Sequence, residues 1–122
     1  MADLQRRSLR AAAALLWAGL IFLSSAQPAQ PVRSWWLDLP FVDKVVHAVV
    51  FGVLGALLHL ATAKPWLSIF LTSLYGVTDE WHQMSTVGRE ADPWDWAADT
   101  VGAILAVGIL TRNRIPHGER VQ

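Results

Sequence analysis

Ionisable side chains recur at helical spacing in three separate parts of the chain. Each group contains pairs that are three or four residues apart, and such pairs share one face of a helix. The groups are Asp43, Lys44 and His47; Tyr75, Asp79, Glu80, His82 and Gln83; and Asp92, Asp95 and Asp99, with Arg89 shortly before the last. Carboxylates beside imidazoles are suited to acid–base catalysis or to binding a divalent cation. The pattern therefore predicts a polar site assembled from three helices.

The residue types suggest roles within this site. Carboxylates and imidazoles exchange protons, and the candidate catalytic residues are Asp79, Glu80, Asp99 and His47. Cations and neutral polar groups hold anionic or polar headgroups, and the candidate substrate-binding residues are Lys44, Arg89, Gln83, Tyr75 and His82. Carboxylates suit Mg²⁺, Mn²⁺ or Ca²⁺, and imidazoles also admit Zn²⁺. The candidate ligands of a divalent cation are Asp79, Glu80, Asp95 and Asp99, and these residue types select no single metal.

Helix capping is a simpler explanation for some of these acids. The order Asp92-Pro93 predicts the start of a helix, with Asp92 as the N-cap and Asp95 as the third residue of a capping box. We expect Asp43 to cap an earlier helix in the same way. Such caps stabilise a helix by about 1 kcal/mol and need no functional role.

Capping does not account for Asp79, Glu80 or Asp99. Asp99 is expected about 7–8 Å inside its helix, and a charged residue at the centre of a bilayer costs about 2.5–3.5 kcal/mol on insertion scales. Asp79 and Glu80 are expected near a helix C-terminus, where the helix dipole disfavours anions. These three acids therefore need a cationic partner, which either a structural salt-bridge network or a bound cation would supply.

Four apolar segments must position these groups, and we interpret them as four transmembrane helices of one all-α domain over residues 1–122. The predicted helices cover about 9–26, 45–63, 66–83 and 94–110, followed by a cytoplasmic tail over 111–122. Each would rise about 26 Å or more, close to the hydrocarbon thickness of about 30 Å. Charged residues make up only 16% of the chain, against about 25% in soluble domains, which agrees with a membrane protein.

Basic and acidic residues are expected at opposite ends of this small helical bundle. Seven of the ten basic residues fall on one side of a four-helix path, namely Arg6, Arg7, Arg10, Lys64, Arg112, Arg114 and Arg120. The positive-inside rule then places both termini in the cytoplasm. Eight of the ten acids lie on or near the other side. The zero net charge argues against nucleic-acid binding.

The first apolar segment also fits a cleaved signal peptide, because three arginines precede it. We favour a retained helix, since the segment is long and has no clear small-x-small cleavage site.

Glycines expected to allow close helix packing are Gly52, Gly55, Gly76, Gly102 and Gly108. Tryptophans expected at the outer interface are Trp35, Trp36, Trp81, Trp94 and Trp96, with Trp66 at the inner one.

Three stretches of the chain resemble those of the VanZ-like family of small bacterial membrane proteins. They are the residues 43–47 (DKVVH), the residues 75–83 (YGVTDEWHQ), and Gly88-Arg89 followed by Asp95, Asp99 and Gly102, and the Ser24-Ser25 pair also fits. The resemblance covers about residues 9–110. It implies a multi-pass protein of the bacterial cytoplasmic membrane and a link to low-level resistance to the glycopeptide teicoplanin. It implies no particular reaction.

Three functions agree with these observations. In the first, a polar pocket at the outer face binds or modifies a lipid-linked or cell-wall substrate, with membrane lipids and a lipid-linked envelope precursor as partners and a divalent cation as a candidate cofactor. In the second, the polar residues form a structural helix-packing network in a non-enzymatic protein that acts through a partner. The third, a small transporter or proton relay, ranks last because the polar residues gather at one end. Enzymatic activity and oligomeric state stay open.

Overall fold

The computed structural model describes residues 1–27 and 35–114, and over these residues the chain is helical and contains no strand. A short 3₁₀ helix, Trp35–Asp38, precedes the second of four α-helices, which are α1 (Ala2–Ser25), α2 (Pro40–Thr62), α3 (Pro65–Met84) and α4 (Pro93–Arg114). The predicted all-α class is therefore confirmed for the described residues. The end of the predicted tail, from residue 115 through Arg120 to Gln122, lies outside them.

Helices α1 and α2 begin before the apolar segments that predicted them. The arginines ahead of the first segment are good helix formers and continue α1 back to Ala2. Helix α2 begins at Pro40, which has the backbone angle that a first helical residue needs, and its N-cap is Leu39. Asp43 therefore lies inside the first turn of α2, and the prediction that it caps this helix is wrong.

A tight turn joins α2 to α3. Ala63 has a left-handed backbone with φ of 57°, and its N–H donates to the carbonyl oxygen of His59 at 2.8 Å, a common way to end a helix. Pro65 then starts α3 in the position expected for a first-turn proline. As predicted, α3 continues through Asp79 and Gln83, so it carries the polar residues of its last turns to the far end of the bundle.

The start of α4 confirms one predicted cap and corrects another. Asp92 Oδ1 accepts the N–H of Trp94 at 2.9 Å, as an N-cap does. In a capping box the side chain of residue 95 would accept the N–H of Asp92. That N–H instead donates to Glu80 Oε2 at 2.9 Å, and Asp95 is buried against Lys44. The capping-box role predicted for Asp95 is therefore wrong.

Helix α2 lies at the centre and packs against α1, α3 and α4. Its closest approach is to α4, because a Cβ built on Gly102 would overlap the carbonyl oxygen of Ala48. A Cβ on Gly52 would lie 3.2 Å from the carbonyl oxygen of Gly102. Glycine is therefore required at Gly102 for these two backbones to touch.

Two further glycines confirm the predicted packing role and one does not. A Cβ on Gly55 would be 3.2 Å from Ala103, and a Cβ on Gly76 would be 3.0 Å from Asp99 Oδ2. Gly108 has no heavy atom within 4 Å of its would-be Cβ. The packing role predicted for Gly108 is therefore wrong.

The described helices bury polar residues and expose apolar ones. Ser68, Thr72 and Asp99 are completely buried, whereas Phe70 and Leu105 are 61% and 59% exposed. The predicted interfacial tryptophans are also exposed, at Trp35, Trp36, Trp66, Trp81, Trp94 and Trp96. Among the described helices, two have the length and hydropathy of a membrane span, at Ala2–Ser25 and Phe41–Thr62. The coarser prediction of a membrane-type helical protein is therefore supported, and spans at α3 and α4 stay a prediction.

Candidate functional site

The last turns of α1 and α3 and the first turns of α2 and α4 meet at one end of the bundle, which we call the polar end. The side chains buried there come from two of the three predicted polar groups and from α1, and they are Ser25, Asp79, Glu80, Gln83, Asp95 and Asp99. Lys44 and His47 lie among them and contact the acids of α4. The structure thus brings together residues that are far apart in the sequence. Their spacing predicted that they lie at one depth, and the packing of the helices puts them in contact.

Lys44 ties α2 to the start of α4. Its Nζ lies 2.7 Å from Asp92 Oδ2, 2.5 Å from Asp95 Oδ1 and 3.3 Å from Asp43 Oδ2. The Lys44 ammonium, together with the N–H of Trp94, lowers the pKa of Asp92 below its ordinary value, because both interactions favour the carboxylate. Lys44 therefore serves as the counterion of α4's N-terminal acids, and it does not line the cavity described below.

His47 is oriented by a buried carboxylate. Its Nδ1 lies 2.8 Å from Asp99 Oδ1, and Asp99 is completely buried. Its Nε2 lies 3.6 Å from Asp95 Oδ2 and 4.0 Å from Asp43 Oδ1. A carboxylate on one ring nitrogen sets the direction in which the other nitrogen points. The arrangement gives His47 the fixed orientation that either a proton-transfer group or a metal ligand needs.

Asp79 connects α1 and α3. The Ser25 hydroxyl donates to Asp79 Oδ1, and Gln83 Nε2 donates to Asp79 Oδ2 at 3.2 Å. Thr86 Oγ1 donates to the carbonyl oxygen of Ser25 at 3.3 Å. Both oxygens of this buried carboxylate are therefore satisfied by neutral donors, and its position is fixed by two helices.

A polar cavity of about 170 Å³ opens between α1, α2 and α3 at the polar end. Its polar lining residues are Ser24, Ser25, Asp43, His47, Asp79, Gln83 and Arg89, and Phe51 contributes to its apolar wall. Arg89 comes from the loop before α4, and its Nε donates to the carbonyl oxygen of Gln27 at 3.0 Å. The cavity therefore offers hydroxyl, amide, imidazole, carboxylate and guanidinium groups to a small polar ligand.

Two predicted substrate-binding residues face other parts of the bundle. The Tyr75 hydroxyl donates to the carbonyl oxygen of Ala18 at 2.5 Å and joins α3 to α1. The ring of His82 stacks on Phe22 with centroids 4.1 Å apart. Neither residue lines the cavity. Two of the predicted catalytic residues, Glu80 and Asp99, also do not line the cavity. Asp99 instead contacts His47.

Ser25 was not among the residues predicted for the site. The sequence signal available for it is the Ser24-Ser25 pair at the end of an apolar segment. Serines there show no helical spacing to any acid, because their partner Asp79 is 54 residues away on another helix. The contact is visible only once α1 and α3 are packed.

Two buried carboxylate oxygens at the polar end have no hydrogen-bond partner among the described residues. Glu80 Oε1 and Asp99 Oδ2 accept no hydrogen bond from any described residue. Two sets of three residues bring possible ligand atoms within 4.8 Å of one another, namely Asp43, His47 and Asp95, and His47, Glu80 and Asp99. The donor types of both sets suit a divalent cation.

Four packed helices with an apolar exterior and a buried polar end define a small helical protein of membrane type. The family model of VanZ/LLP1 matches residues 11–114. The chain therefore belongs to the VanZ/LLP1 family, which confirms the resemblance drawn from its motifs. No curated protein and no solved structure matches the chain significantly.

Proposed function

We propose that the chain is a multi-pass protein of the bacterial cytoplasmic membrane and that all four α-helices span the bilayer. Helices α3 and α4 contain 20 and 22 residues, which corresponds to about 30 Å or more. Mean hydropathy undervalues these two helices, because it counts buried polar residues such as Thr72 and Asp99 that no lipid would contact. Their outward residues include exposed apolar side chains such as Phe70, Leu74 and Ile104, which supports contact with lipid.

The charge distribution supports an orientation with both termini in the cytoplasm. The basic residues of the described ranges that lie opposite the polar end are Arg6, Arg7, Arg10, Lys64 and Arg112. Because cytoplasmic loops are enriched in Lys and Arg, the end of the bundle opposite the polar end would face the cytoplasm. The polar end would then lie at the outer interface of the membrane.

We further propose that the cavity binds the polar headgroup of an anionic, lipid-linked envelope substrate. The observation that carries this proposal is the cavity itself, in which Arg89 offers a guanidinium to an anionic group and the hydrogen-bonding side chains, including the carboxylates of Asp43 and Asp79, face the hydroxyl or amide groups of the same headgroup. Arginine is suited to bidentate contacts with phosphate. A volume of about 170 Å³ is below the range of roughly 300–1,000 Å³ for drug-sized ligands. The site would therefore hold one part of a headgroup while the lipid chain stays in the bilayer.

The same cavity supplies groups for chemistry on that headgroup. His47 and Asp79 line it and can exchange protons with a bound molecule. Asp99 would act as a positioning residue, because it touches His47 and does not line the cavity. This arrangement supports modification of the headgroup, and binding alone is the minimal form of the proposal. The link to teicoplanin resistance that the resemblance implies stays a prediction.

Native mass spectrometry tests headgroup binding. We would purify the chain in a mild detergent with phosphatidylglycerol or a polyprenyl phosphate and compare Arg89→Gln with Arg10→Gln. Both arginines donate to a backbone carbonyl, of Gln27 and Leu60 respectively, but Arg10 is at the opposite end. We expect one anionic lipid to stay bound in wild type and Arg10→Gln and to be lost in Arg89→Gln. Equal retention in both variants would contradict the proposal.

A structural role for the polar network is the second candidate, and the contacts of Lys44 favour it. This lysine holds Asp92 and Asp95, which links α2 to α4 without any ligand. In that case Lys44→Met would lower the unfolding temperature and leave lipid retention unchanged. Under the headgroup proposal Arg89→Gln would lose the lipid and keep its unfolding temperature. The two variants together therefore separate the candidates.

A further inference from the structure

We propose that His47, Glu80 and Asp99 bind a divalent cation between α2, α3 and α4. One possible ligand atom from each residue lies within 4.8 Å of the other two. Ligands about 2.0–2.2 Å from a metal are at most about 4.4 Å apart, so small side-chain rotations close the set around an ion. The inference does not depend on headgroup binding, since Glu80 and Asp99 lie outside the cavity lining.

A second observation that supports the cation site is that two buried carboxylates each have an oxygen without a hydrogen-bond partner among the described residues. Glu80 is 8% exposed and Asp99 is completely buried. Glu80 Oε2 accepts the N–H of Asp92, and Asp99 Oδ1 contacts His47. The other oxygens, Glu80 Oε1 and Asp99 Oδ2, are buried without a hydrogen-bond partner among the described residues. Each residue therefore has one oxygen bound to the protein and one available to an ion. Binding an ion would remove the free-energy cost of leaving a buried carboxylate oxygen unpaired.

The free oxygen of Asp99 points toward the helix that carries Glu80. A Cβ on Gly76 of α3 would lie 3.0 Å from Asp99 Oδ2. Gly76 and Glu80 are four residues apart and share one face of α3. The missing side chain at Gly76 therefore leaves room for Asp99 on the face where Glu80 projects one turn later.

Charge at the polar end favours a cation. Its carboxylates are those of Asp43, Asp79, Glu80, Asp92, Asp95 and Asp99. Lys44 contacts three of them and Arg89 bonds a backbone carbonyl. Glu80 and Asp99 have a ligand atom of His47 within 4.8 Å, and the three acids that Lys44 contacts include neither of them. A divalent ion would supply the positive charge that this buried pair lacks.

The second possible set, Asp43, His47 and Asp95, is less suited to a cation. Asp95 Oδ1 is 2.5 Å from the Lys44 ammonium, and the Asp43 side chain is 43% exposed. Asp95 Oδ2 instead lies 3.6 Å from His47 Nε2. A histidine that binds a metal through one nitrogen usually donates the other N–H to a carboxylate. We therefore assign Nδ1 of His47 as the ligand, with the ion replacing the proton that Nδ1 shares with Asp99 Oδ1, and Asp95 as the carboxylate nearest to Nε2.

One imidazole with two carboxylates suits Mn²⁺ or Zn²⁺, and both are used as probes. The detergent-purified chain would be stripped with EDTA and titrated with each ion by equilibrium dialysis and elemental analysis. We expect one ion per chain, with affinity lowered about tenfold or more in Asp99→Asn and Glu80→Gln. The matched control is Asp92→Asn, which removes the same charge from a carboxylate paired with Lys44, and it should change affinity less than about threefold. Absence of binding in wild type, or equal weakening in all three variants, would overturn the proposal.

A measurement on the wild-type chain covers the case in which the variants fail to fold. Pulsed electron paramagnetic resonance of bound Mn²⁺ detects nitrogen in its coordination shell. Nitrogen coupling from one imidazole is expected, and its loss in His47→Gln would identify the residue. Bound Mn²⁺ without nitrogen coupling would overturn the site. Because no lipid enters these experiments, their result is independent of the headgroup test.

Discussion

His47 on α2 and Asp99 on α4 meet through a 2.8 Å contact between Nδ1 and Oδ1, although 52 residues separate them in the sequence. The next residue on α2, Ala48, touches Gly102 on the same face of α4. This polar pair, whose carboxylate is completely buried, therefore lies beside the point where the backbones of α2 and α4 touch. The His47–Asp99 contact depends on this close approach, because a larger residue at Gly102 would move α4 and its acids away from α2.

Removal of Asp99 should destabilise the bundle through the loss of this pair. Asp99→Ala leaves His47 without its buried partner, and we expect the free energy of unfolding to fall by about 3–5 kcal/mol. In a double-mutant cycle with His47→Ala, the coupling energy should be about 1–3 kcal/mol. Unfolding would be followed by circular dichroism in detergent, with Asp3→Ala on the exposed start of α1 as the control. Additive effects of the two substitutions would show that the contact contributes nothing.

Two glycines of α4 provide a matched test of helix packing. At Gly102 an added methyl would overlap Ala48, whereas at Gly108 it would meet no atom within 4 Å. We expect Gly102→Ala to destabilise the protein by about 1–3 kcal/mol and Gly108→Ala to be neutral or to stabilise α4 by up to about 1 kcal/mol. Thermal unfolding of both variants checks this. A Gly102→Ala variant as stable as wild type would mean that α2 and α4 are not in contact there.

Acid pH should weaken the junction between Lys44 and Asp92. The lowered pKa of Asp92 in the folded chain means that its contribution to stability is present above the ordinary value of about 3.9. That contribution is lost as the pH falls through the lowered folded value. The unfolding temperature of wild type should therefore drop more steeply below about pH 4 than that of Asp92→Asn. Parallel profiles for the two proteins would contradict this assignment.

The membrane topology can be tested by cysteine labelling, because the natural chain contains no cysteine. Val87 lies in the loop between α3 and α4 and is 82% exposed. With four spans, an impermeant maleimide should label Val87→Cys in intact cells and Arg112→Cys only after the membrane is opened. If only α1 and α2 crossed the membrane and the termini were cytoplasmic, Val87→Cys would also be protected. The single pair of variants therefore distinguishes two spans from four.

Much of the organisation could be predicted from local patterns in the sequence. Apolar runs predicted the four helices, and Pro65 and Asp92-Pro93 marked the starts of α3 and α4. The spacing of the acids placed them on shared helix faces near one end. These properties are local, because helix formation and capping depend on residues only a few positions apart. The family resemblance likewise follows from residue order alone, and the family match confirms the family.

The partners of the polar side chains were decided only by the packing of the helices. Asp95 looked like a capping residue and instead binds Lys44, while His82 stacks on Phe22 away from the cavity. Ser25 meets Asp79 across the bundle with no signal in the spacing. These contacts depend on the rotation of each helix about its axis and on the distance between axes. Both are set by long-range packing, above all where Gly102 lets α4 touch α2, and spacing along a single helix does not contain that information.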